Sequence, residues 1–365
     1  MGFIINGRRR YTHMNETERI IALSDAFGPS GFEEEVTELV RSELDGFDNI
    51  EVDSMRNLRV VLNPGTKGPK VMLDAHLDEV GVIVQAVRPQ GTMKFLPVGG
   101  QSATNFPNSS YRLRNRDGRI VRAAVAVKPP HFQSAAEKNA MLTVADMVLD
   151  CGSISKEQTE NEFGLGIACP GVPDVSCTYD EEKRLFYGKA FDCRIGVAAQ
   201  IETLKRLKGK DLPCVIQGAF SVQEEVGERG VYANYKAFDP DLMICFEGCP
   251  ADDTFQESWM VQAGMYKGPM LRHFDVSMIT NPRFQKFALD TARELNIPVQ
   301  ESVRSGGGTD AGMIHKQGIP CIVIGIPVRY IHSSNCYCTL DDYKAAVDLA
   351  CALAERLTEE TVAAF

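Results

Sequence analysis

The sequence predicts an α/β protein in which a sheet is layered with helices and a small β-rich domain is inserted into the chain. Three observations support this fold class. Apolar runs of strand length are continuous rather than alternating, which is typical of strands that are covered on both faces. Segments with apolar residues at helical spacing separate several of those runs. Between residues 86 and 177 the pattern changes to hairpin-like segments rich in glycine and proline.

The individual elements follow in chain order. Residues 15 to 45 read as two helices separated by the breaker GPSG, and the second opens with the acidic FEEEVTELV, which suits a positive helix N-terminus. The strand-like runs are RVVLN, KVMLDAH, CVIQGAFSVQ, DLMICFE and CIVIGI, and the later helices are predicted in AAQIETLKRLK, NPRFQKFALDTARELN and DDYKAAVDLACALAERL. We therefore expect residues 1–85 and 178–365 to form the main domain and residues 86–177 to form the insert.

Composition and charge count against several classes of partner. The chain has 365 residues, 44% of them hydrophobic, and a formal net charge of -10, whereas nucleic acids and anionic membranes select basic surfaces. No apolar stretch approaches the length that spans a bilayer, and MGFIINGRRRYTHM has too short an apolar segment for a secretory signal. We expect a cytoplasmic protein that acts on a small molecule or a peptide. The eleven cysteines lack zinc-ribbon spacing, so reduced, buried thiols are expected.

Polar side chains follow the predicted strands. KVMLDAHLDEVG ends a strand in His76, with Asp78 two residues later. Ligands of open α/β sheets bind at the carboxyl ends of the strands, and an imidazole beside a carboxylate suits a metal ligand whose second nitrogen is held in place. Taken alone, the pair is explained better as a buried histidine satisfied by a local aspartate.

Five further polar residues occupy comparable positions. Asp192 stands where a loop enters a helix, Glu224 and Glu225 end one strand, Glu247 ends another, and His332 lies beyond a third. Each has an ordinary explanation by itself, as a helix cap, a solvated strand end or a surface histidine. Their joint occurrence favours one site. Adjacent carboxylates repel and point to opposite faces of a strand, so the glutamate pair is expected to divide two tasks.

From about Glu16 to Leu357 the chain resembles the glutamyl-aminopeptidase family of dinuclear metallopeptidases, the tetrahedral aminopeptidases. The segments SGFEEEV, AHLDEVG, GKAFDCRIG, QEEVGERG, GGGTDAG and PVRYIHS occur in that family's order. The resemblance implies a mixed sheet sandwiched by helices, as in zinc exopeptidases, with an inserted small domain like a β-barrel. It also implies cleavage of single residues from the N-termini of short peptides, and assembly into a tetrahedral dodecamer.

The resemblance also implies roles for named residues. It implies that His76 and Glu247 bind one metal ion, that Glu225 and His332 bind the other, and that Asp192 bridges the two. Two divalent ions roughly 3.5 to 4 Å apart lower the pKa of a bridging water and stabilise the oxyanion. Oxygen and imidazole ligands suit zinc, which is expected first, and cobalt or manganese as alternatives.

The remaining roles concern proton transfer and the substrate. By the same resemblance, Glu224 is the general base that takes a proton from the water and delivers it to the leaving amine. Asp78 would support His76. Thr309 and Asp310 are expected near the substrate amine or specificity pocket, and Arg329 either attracts an acidic side chain of the substrate or pairs with a carboxylate of the protein.

Two positions depart from the family's pattern. Members usually carry a second aspartate after the bridging one, where this chain has Cys193, and an aspartate at the strand position of Glu247.

Two alternatives to an aminopeptidase remain open at this point. A related metal-dependent amidohydrolase, such as a deacylase, carboxypeptidase or dipeptidase, would use the same ions. A peptide-binding scaffold subunit without catalysis would need the metal ligands but not the base Glu224.

Overall fold

The computed structural model describes residues 3–5, 8–10 and 14–365. Residues 1–2, 6–7 and 11–13 of the N-terminal segment considered above lie outside the described residues. The helices are α1 (Glu16–Asp25), α2 (Glu34–Glu43), α3 (Ala135–Asn139), α4 (Phe191–Leu207), α5 (Arg229–Phe238), α6 (Pro282–Glu294), α7 (Asp310–His315), α8 (Leu340–Ala354) and α9 (Glu359–Ala363). Within the described residues, no helix combines the length and the apolarity needed to cross a bilayer.

In the part of the chain that the structure describes, the strands form four sheets. In chain order they are β1 (Phe3–Ile5), β2 (Arg8–Arg10), β3 (Glu51–Val52), β4 (Leu58–Leu62), β5 (Lys70–His76), β6 (Gly81–Val87), β7 (Met93–Val98), β8 (Ser110–Arg114), β9 (Ile120–Val127), β10 (Met147–Asp150), β11 (Pro170–Pro173), β12 (Thr178–Asp180), β13 (Leu185–Gly188), β14 (Val215–Ser221), β15 (Leu242–Pro250), β16 (Met270–Phe274), β17 (Gln300–Val303), β18 (Cys321–Val328) and β19 (Cys336–Thr339). β1 pairs with β2, and β12, β13 and β19 form a small sheet.

The main sheet has eight strands in the order β17-β16-β18-β15-β5-β14-β4-β3. Its four central strands, β18, β15, β5 and β14, are parallel, whereas β4 and β16 join the central set in antiparallel orientation. The side chains of β18 are buried along its whole length, which explains the continuous apolar run. Since the central strands are parallel, their carboxyl ends meet at one edge of the sheet.

Helices cover both faces of this sheet. α4 packs on β15 and β5 and against α1 and α8, while α5 and α7 lie on the other face. Side chains cap the starts of two of these helices: Asn15 and Glu18 form a capping box for α1, and Thr339 accepts a hydrogen bond from Asp342 N at the start of α8. The predicted fold class and the predicted helices are therefore confirmed.

The remaining six strands close into a barrel in the order β10-β7-β6-β11-β8-β9. The barrel has its own apolar core, which includes Val82, Phe95, Phe106 and Leu149. A separate core is typical of a structural unit that packs largely on itself. The barrel strands run from Gly81 to Pro173; the boundaries 86 and 177 between the two domains stay a prediction.

The structure corrects two details of the strand assignment. Glu247 lies inside β15 and not at its end, because β15 stays paired with β18 as far as Pro250 and Val328. Glu224 and Glu225, which the sequence placed at the end of a strand, lie beyond it, because β14 already ends at Ser221. All eleven cysteines are free, and all except Cys151 are buried, whereas the sequence predicted buried thiols throughout.

Candidate metal centre and active site

Asp192 lies at the centre of the predicted site. Its Oδ1 is 3.0 Å from His76 Nε2 and its Oδ2 is 3.0 Å from His332 Nε2. One carboxylate thus faces two imidazoles from opposite sides. Asp192 occupies the first turn of α4 with non-helical backbone angles, and the peptide bond to Cys193 is cis. The predicted residues His76, Asp192 and His332 are therefore brought together.

The surroundings of His76 are built by strands. His76 ends β5 and is 2% exposed. Its Nε2 is 3.6 Å from Glu247 Oε2, on the adjacent strand β15, and 3.8 Å from Glu224 Oε2. Thr309 Oγ1 donates a hydrogen bond of 2.6 Å to the other carboxylate oxygen of Glu247. His76 Nε2 therefore lies close to a carboxylate oxygen of Asp192 and to one of Glu247.

The surroundings of His332 are built by loops. His332 follows β18 and adopts a left-handed conformation with φ 57°. Its Nδ1 donates a hydrogen bond of 2.6 Å to Gly100 O, in the segment that follows β7 of the barrel, and Asn105 Nδ2 donates to His332 O at 3.1 Å. Because Nδ1 carries the proton of this hydrogen bond, Nε2 is the ring nitrogen that is available to bind a metal ion. His332 Nε2 is 3.3 Å from Glu225 Oε1.

Asp78 connects His76 to the glutamate pair. Its Oδ1 is 3.4 Å from His76 Nδ1 and accepts a hydrogen bond of 2.9 Å from Glu224 N. Its Oδ2 accepts hydrogen bonds from Glu225 N at 3.1 Å and from Ser30 Oγ at 2.6 Å. One fully buried carboxylate therefore lies beside the ring of His76 and holds the turn that carries both glutamates.

Burial perturbs the pKa of every carboxyl group in the centre. Burial, and then the charges of Glu247 and Glu225, hold the pKa of Glu224 well above its ordinary range. Burial raises the pKa of Glu225 to about 8 and that of Glu247 to about 7. For Asp192, hydrogen bonds with both histidines outweigh burial and hold the pKa well below its ordinary range. Several acidic groups in little water favour the binding of positive charge.

The donor atoms fit divalent cations. Glu225 Oε1 is buried and has no hydrogen-bond partner, which is costly unless a cation or a donor meets it. Two groups of possible ligand atoms occur within the described residues, and in each the atoms lie within 4.8 Å of one another. The groups are His76, Asp192, Cys193 and Glu247, and Asp192, Glu225 and His332. Both contain Asp192, whereas Glu224 belongs to neither.

A buried ionic cluster joins the two segments that meet at the centre. Glu79, directly after Asp78, accepts hydrogen bonds from Lys189 Nζ at 2.6 and 2.8 Å and lies 3.3 Å from Arg194 NH2. Burial lowers the pKa of Lys189 to about 8. Lys189 and Arg194 flank Asp192 in the chain, so the cluster fixes the start of α4 against the end of β5. Replacing one charged side chain of this cluster by a neutral one would leave a buried charge without its partner.

The three residues predicted near the substrate are placed differently from one another. Thr309 and Asp310 are buried, at 0% and 1% exposure. Thr309 contacts Glu247, and both carboxylate oxygens of Asp310 lack a hydrogen-bond partner. Arg329 forms two hydrogen bonds with Asp253, at 2.8 and 2.7 Å. The structure thus pairs Arg329 with a carboxylate of the protein, and the substrate contacts of all three residues stay predictions.

Three residues that touch the centre received no role from the sequence. Ser30 donates to Asp78, Gly100 accepts from His332, and Glu33 Oε1 accepts from Gln223 N at 3.1 Å. Ser30 and Glu33 belong to the stretch GPSGFEEEV, which the sequence marked as a helix boundary and a family motif. Gly100 had no signal, because its carbonyl is a backbone group that any residue would supply.

Comparisons with protein families, with curated proteins and with solved structures all find similarity to aminopeptidases. A family model described as M42 glutamyl aminopeptidase matches residues 57–349. The glutamyl aminopeptidase of Lactococcus lactis subsp. cremoris is 29% identical over 358 residues, which cover 95% of this chain and 98% of the relative. A TET aminopeptidase from the marine sediment archaeon Thaumarchaeota archaeon SCGC AB-539-E09 superposes with a TM-score of 0.92 at 35% identity, covering 96% of this chain and 98% of that one.

A further solved structure bears on assembly. The TET1 peptidase of Pyrococcus horikoshii, described as able to assemble into a tetrahedron or a large octahedral shell, has a TM-score of 0.85 at 26% identity. The match covers 94% of this chain and all of the other chain, 100%. The similarity therefore includes the barrel as well as the main sheet.

Proposed function

The chain belongs to the M42 glutamyl aminopeptidase family and is an aminopeptidase, and from this premise we propose how its residues carry out the hydrolysis. The centre would hold two divalent cations, with Asp192 common to both. His76 and Glu247 would be ligands of one, and Glu225 and His332 would be ligands of the other. Zinc is the expected metal, with cobalt or manganese as alternatives, because imidazole and carboxylate donors suit all three.

Glu224 is the general base of the proposed reaction. Bound divalent cations supply Lewis acidity, which lowers the pKa of water and offsets negative charge on a carbonyl oxygen. Glu224 Oε2 lies 3.8 Å from His76 Nε2, so its carboxylate borders the cation sites without belonging to either donor group. From this position it takes the proton of the attacking water and returns it to the leaving amine. Asp78 holds the turn of Glu224 in place.

One observation carries the proposal. The two oxygens of Asp192 face the Nε2 atoms of His76 and His332 at equal distances of 3.0 Å. Asp192 belongs to both groups of possible ligand atoms, one with His76 and the other with His332. The second histidine, from a distant loop, is explained when Asp192 is shared between two ions.

The adjacent glutamates provide the test. In Glu224→Gln, we expect kcat to fall by about 10²- to 10⁴-fold, the usual contribution of a positioned acid or base, while the metal content per subunit is unchanged. In Glu225→Gln, we expect the loss of one of the two ions. Metal content is measured by plasma mass spectrometry, and kcat with a panel of aminoacyl-anilides. Glu38→Gln, on the exposed side of α2, is the control.

Two results would contradict the proposal. If Glu224→Gln lost metal while Glu225→Gln kept it, the roles of the two glutamates would be exchanged. If N-acetylated anilides were cleaved as fast as those with a free amino group, the chain would not recognise the N-terminus of a short peptide. Restoration of activity to chelated protein by zinc, cobalt or manganese identifies which cation serves best.

The same premise extends to assembly. We propose a homo-oligomer, with a tetrahedral dodecamer as the expected form, because a solved relative at 26% identity is described as a tetrahedron or octahedral shell. In this proposal the inserted domain contributes to assembly and to the access of peptides. Light scattering of the purified chain measures the mass, and a monomer at working concentration would contradict the proposal. The cytoplasmic location stays a prediction.

A further inference from the structure

Cys193 is the member of the centre that the proposed function does not use. It follows Asp192, at a position where members of the family usually have an aspartate. Its side chain is completely buried. Its Sγ is one of four possible ligand atoms, with those of His76, Asp192 and Glu247, that lie within 4.8 Å of one another. The cysteine is therefore not isolated but part of a cluster with nitrogen and oxygen donors.

The sulfur is confined to this position. Cys193 Sγ donates a hydrogen bond of 3.1 Å to Phe246 O, the carbonyl directly before Glu247 on β15. A Cβ added to Gly196 would lie 2.5 Å from Sγ, so only a glycine leaves room for the sulfur there. β15 and the first turns of α4 therefore hold Sγ beside the strand position that carries Glu247.

The neighbouring donors are directed into the same space. Thr309 holds Oε1 of Glu247, and Oε2 of the same carboxylate faces His76 Nε2 at 3.6 Å. His76 Nε2 is itself 3.0 Å from Asp192 Oδ1. One imidazole, two carboxylates and one thiol make four donors, and zinc can expand from four ligands to five, which leaves a position for the water of the proposed reaction. Thiolate is a soft donor that favours zinc over manganese or magnesium.

We propose that the Cys193 thiolate is a ligand of the cation held by His76 and Glu247. This inference rests on the proposed function in requiring a cation at that position. When the cation binds, the Sγ–H bond breaks, a sulfur lone pair forms the bond to the metal, and the proton passes to solvent. The two positions then differ chemically: one has nitrogen, oxygen and sulfur ligands, and the other has nitrogen and oxygen ligands alone.

Cobalt provides a direct optical test, because a thiolate bound to Co²⁺ gives a strong near-ultraviolet charge-transfer band that imidazole and carboxylate ligands do not give. The full chain is depleted of metal and titrated with Co²⁺, and bound cobalt is counted in parallel. We expect the band in the parent protein and its loss in Cys193→Ser. Cys245→Ser is the matched control, since Cys245 Sγ is also buried and lies 3.9 Å from Glu247 Oε1, and this variant keeps the band.

X-ray absorption of the zinc-loaded parent chain needs no variant and covers the case in which Cys193→Ser does not fold. A sulfur ligand appears at about 2.3 Å, distinct from nitrogen and oxygen at about 2.0 to 2.2 Å. If ions bind but neither sulfur signal is present, or if the band disappears only in Cys245→Ser, this inference is overturned while the proposed function stands. If the chain binds no divalent ion at all, both are overturned.

Discussion

The two halves of the centre are built in different ways. The sheet half, His76 and Glu247, lies on the adjacent strands β5 and β15, whose backbones are hydrogen-bonded to each other. The loop half, Glu225 and His332, lies in segments that follow β14 and β18. The side chain of His332 is 31% exposed, and that of His76 is 2% exposed. Asp192 is common to both halves.

The two halves differ in the contacts that hold their side chains in position. The strand ladder and Asp78 fix the sheet half, so its geometry follows from the fold of the main sheet. The loop half depends on Gly100 and Asn105, which belong to the segment between barrel strands β7 and β8. The segment between these barrel strands therefore supplies part of the support for His332, a proposed ligand. We expect the loop half to bind its cation more weakly and to exchange it faster.

Substitution of the shared residue should have the largest effect, because it removes a ligand from both halves at once. In Asp192→Asn we expect kcat/KM to fall by at least about 10³-fold, or ~4 kcal/mol of transition-state stabilisation, with reduced content of both ions. Kinetics with an aminoacyl-anilide and metal analysis measure the two effects. Asp211→Asn, at an exposed position, is the control. A variant that lost one ion only would show that Asp192 is not shared.

The histidines allow the halves to be separated. In metal-free protein, His76→Ala should lower the free energy of unfolding by about 1–3 kcal/mol, because it leaves buried carboxylates without their partner. His332→Ala removes a more exposed side chain and should cost less. Denaturant titration measures both values. Equal losses, or a larger loss for His332→Ala, would contradict the distinction between the buried His76 and the more exposed His332.

Asp78→Asn should weaken the sheet half without removing a ligand. Asp78 faces His76 Nδ1 and accepts the N–H groups of Glu224 and Glu225. Loss of such a supporting carboxylate typically lowers metal affinity by about 10- to 100-fold. Competition with a chromophoric chelator measures the affinity of each ion. An unchanged affinity would mean that the strand alone orients His76.

Asn105→Ala should have the smallest effect, confined to the loop half. The substitution removes one hydrogen bond, from Asn105 Nδ2 to His332 O, worth about 1 kcal/mol, and so about fivefold in the affinity of one ion. Asn139→Ala, at an exposed position on α3, is the control. If Asn105→Ala weakened both ions equally, the two halves would not be independent.

Much of the fold and of the centre could be predicted from the sequence. The apolar runs identified the central strands, and the polar residues after them identified His76 and His332, because parallel strands end at a common edge. The extent of β15 was missed: Glu247 lies within the strand, since pairing with β18 continues to Pro250. That pairing depends on a distant segment and leaves no local signal.

The sequence by itself determined which chemical groups the centre contains, because strand periodicity and the family motifs depend on residues close together in the chain. Only the tertiary structure decided how these groups meet. It placed the two oxygens of Asp192 between two histidines that lie 256 positions apart in number, His76 and His332. It also brought Gly100 of the barrel side to His332 and the sulfur of Cys193 to Glu247. Such contacts form only when segments that are distant in the chain pack together. No local sequence pattern therefore predicts them.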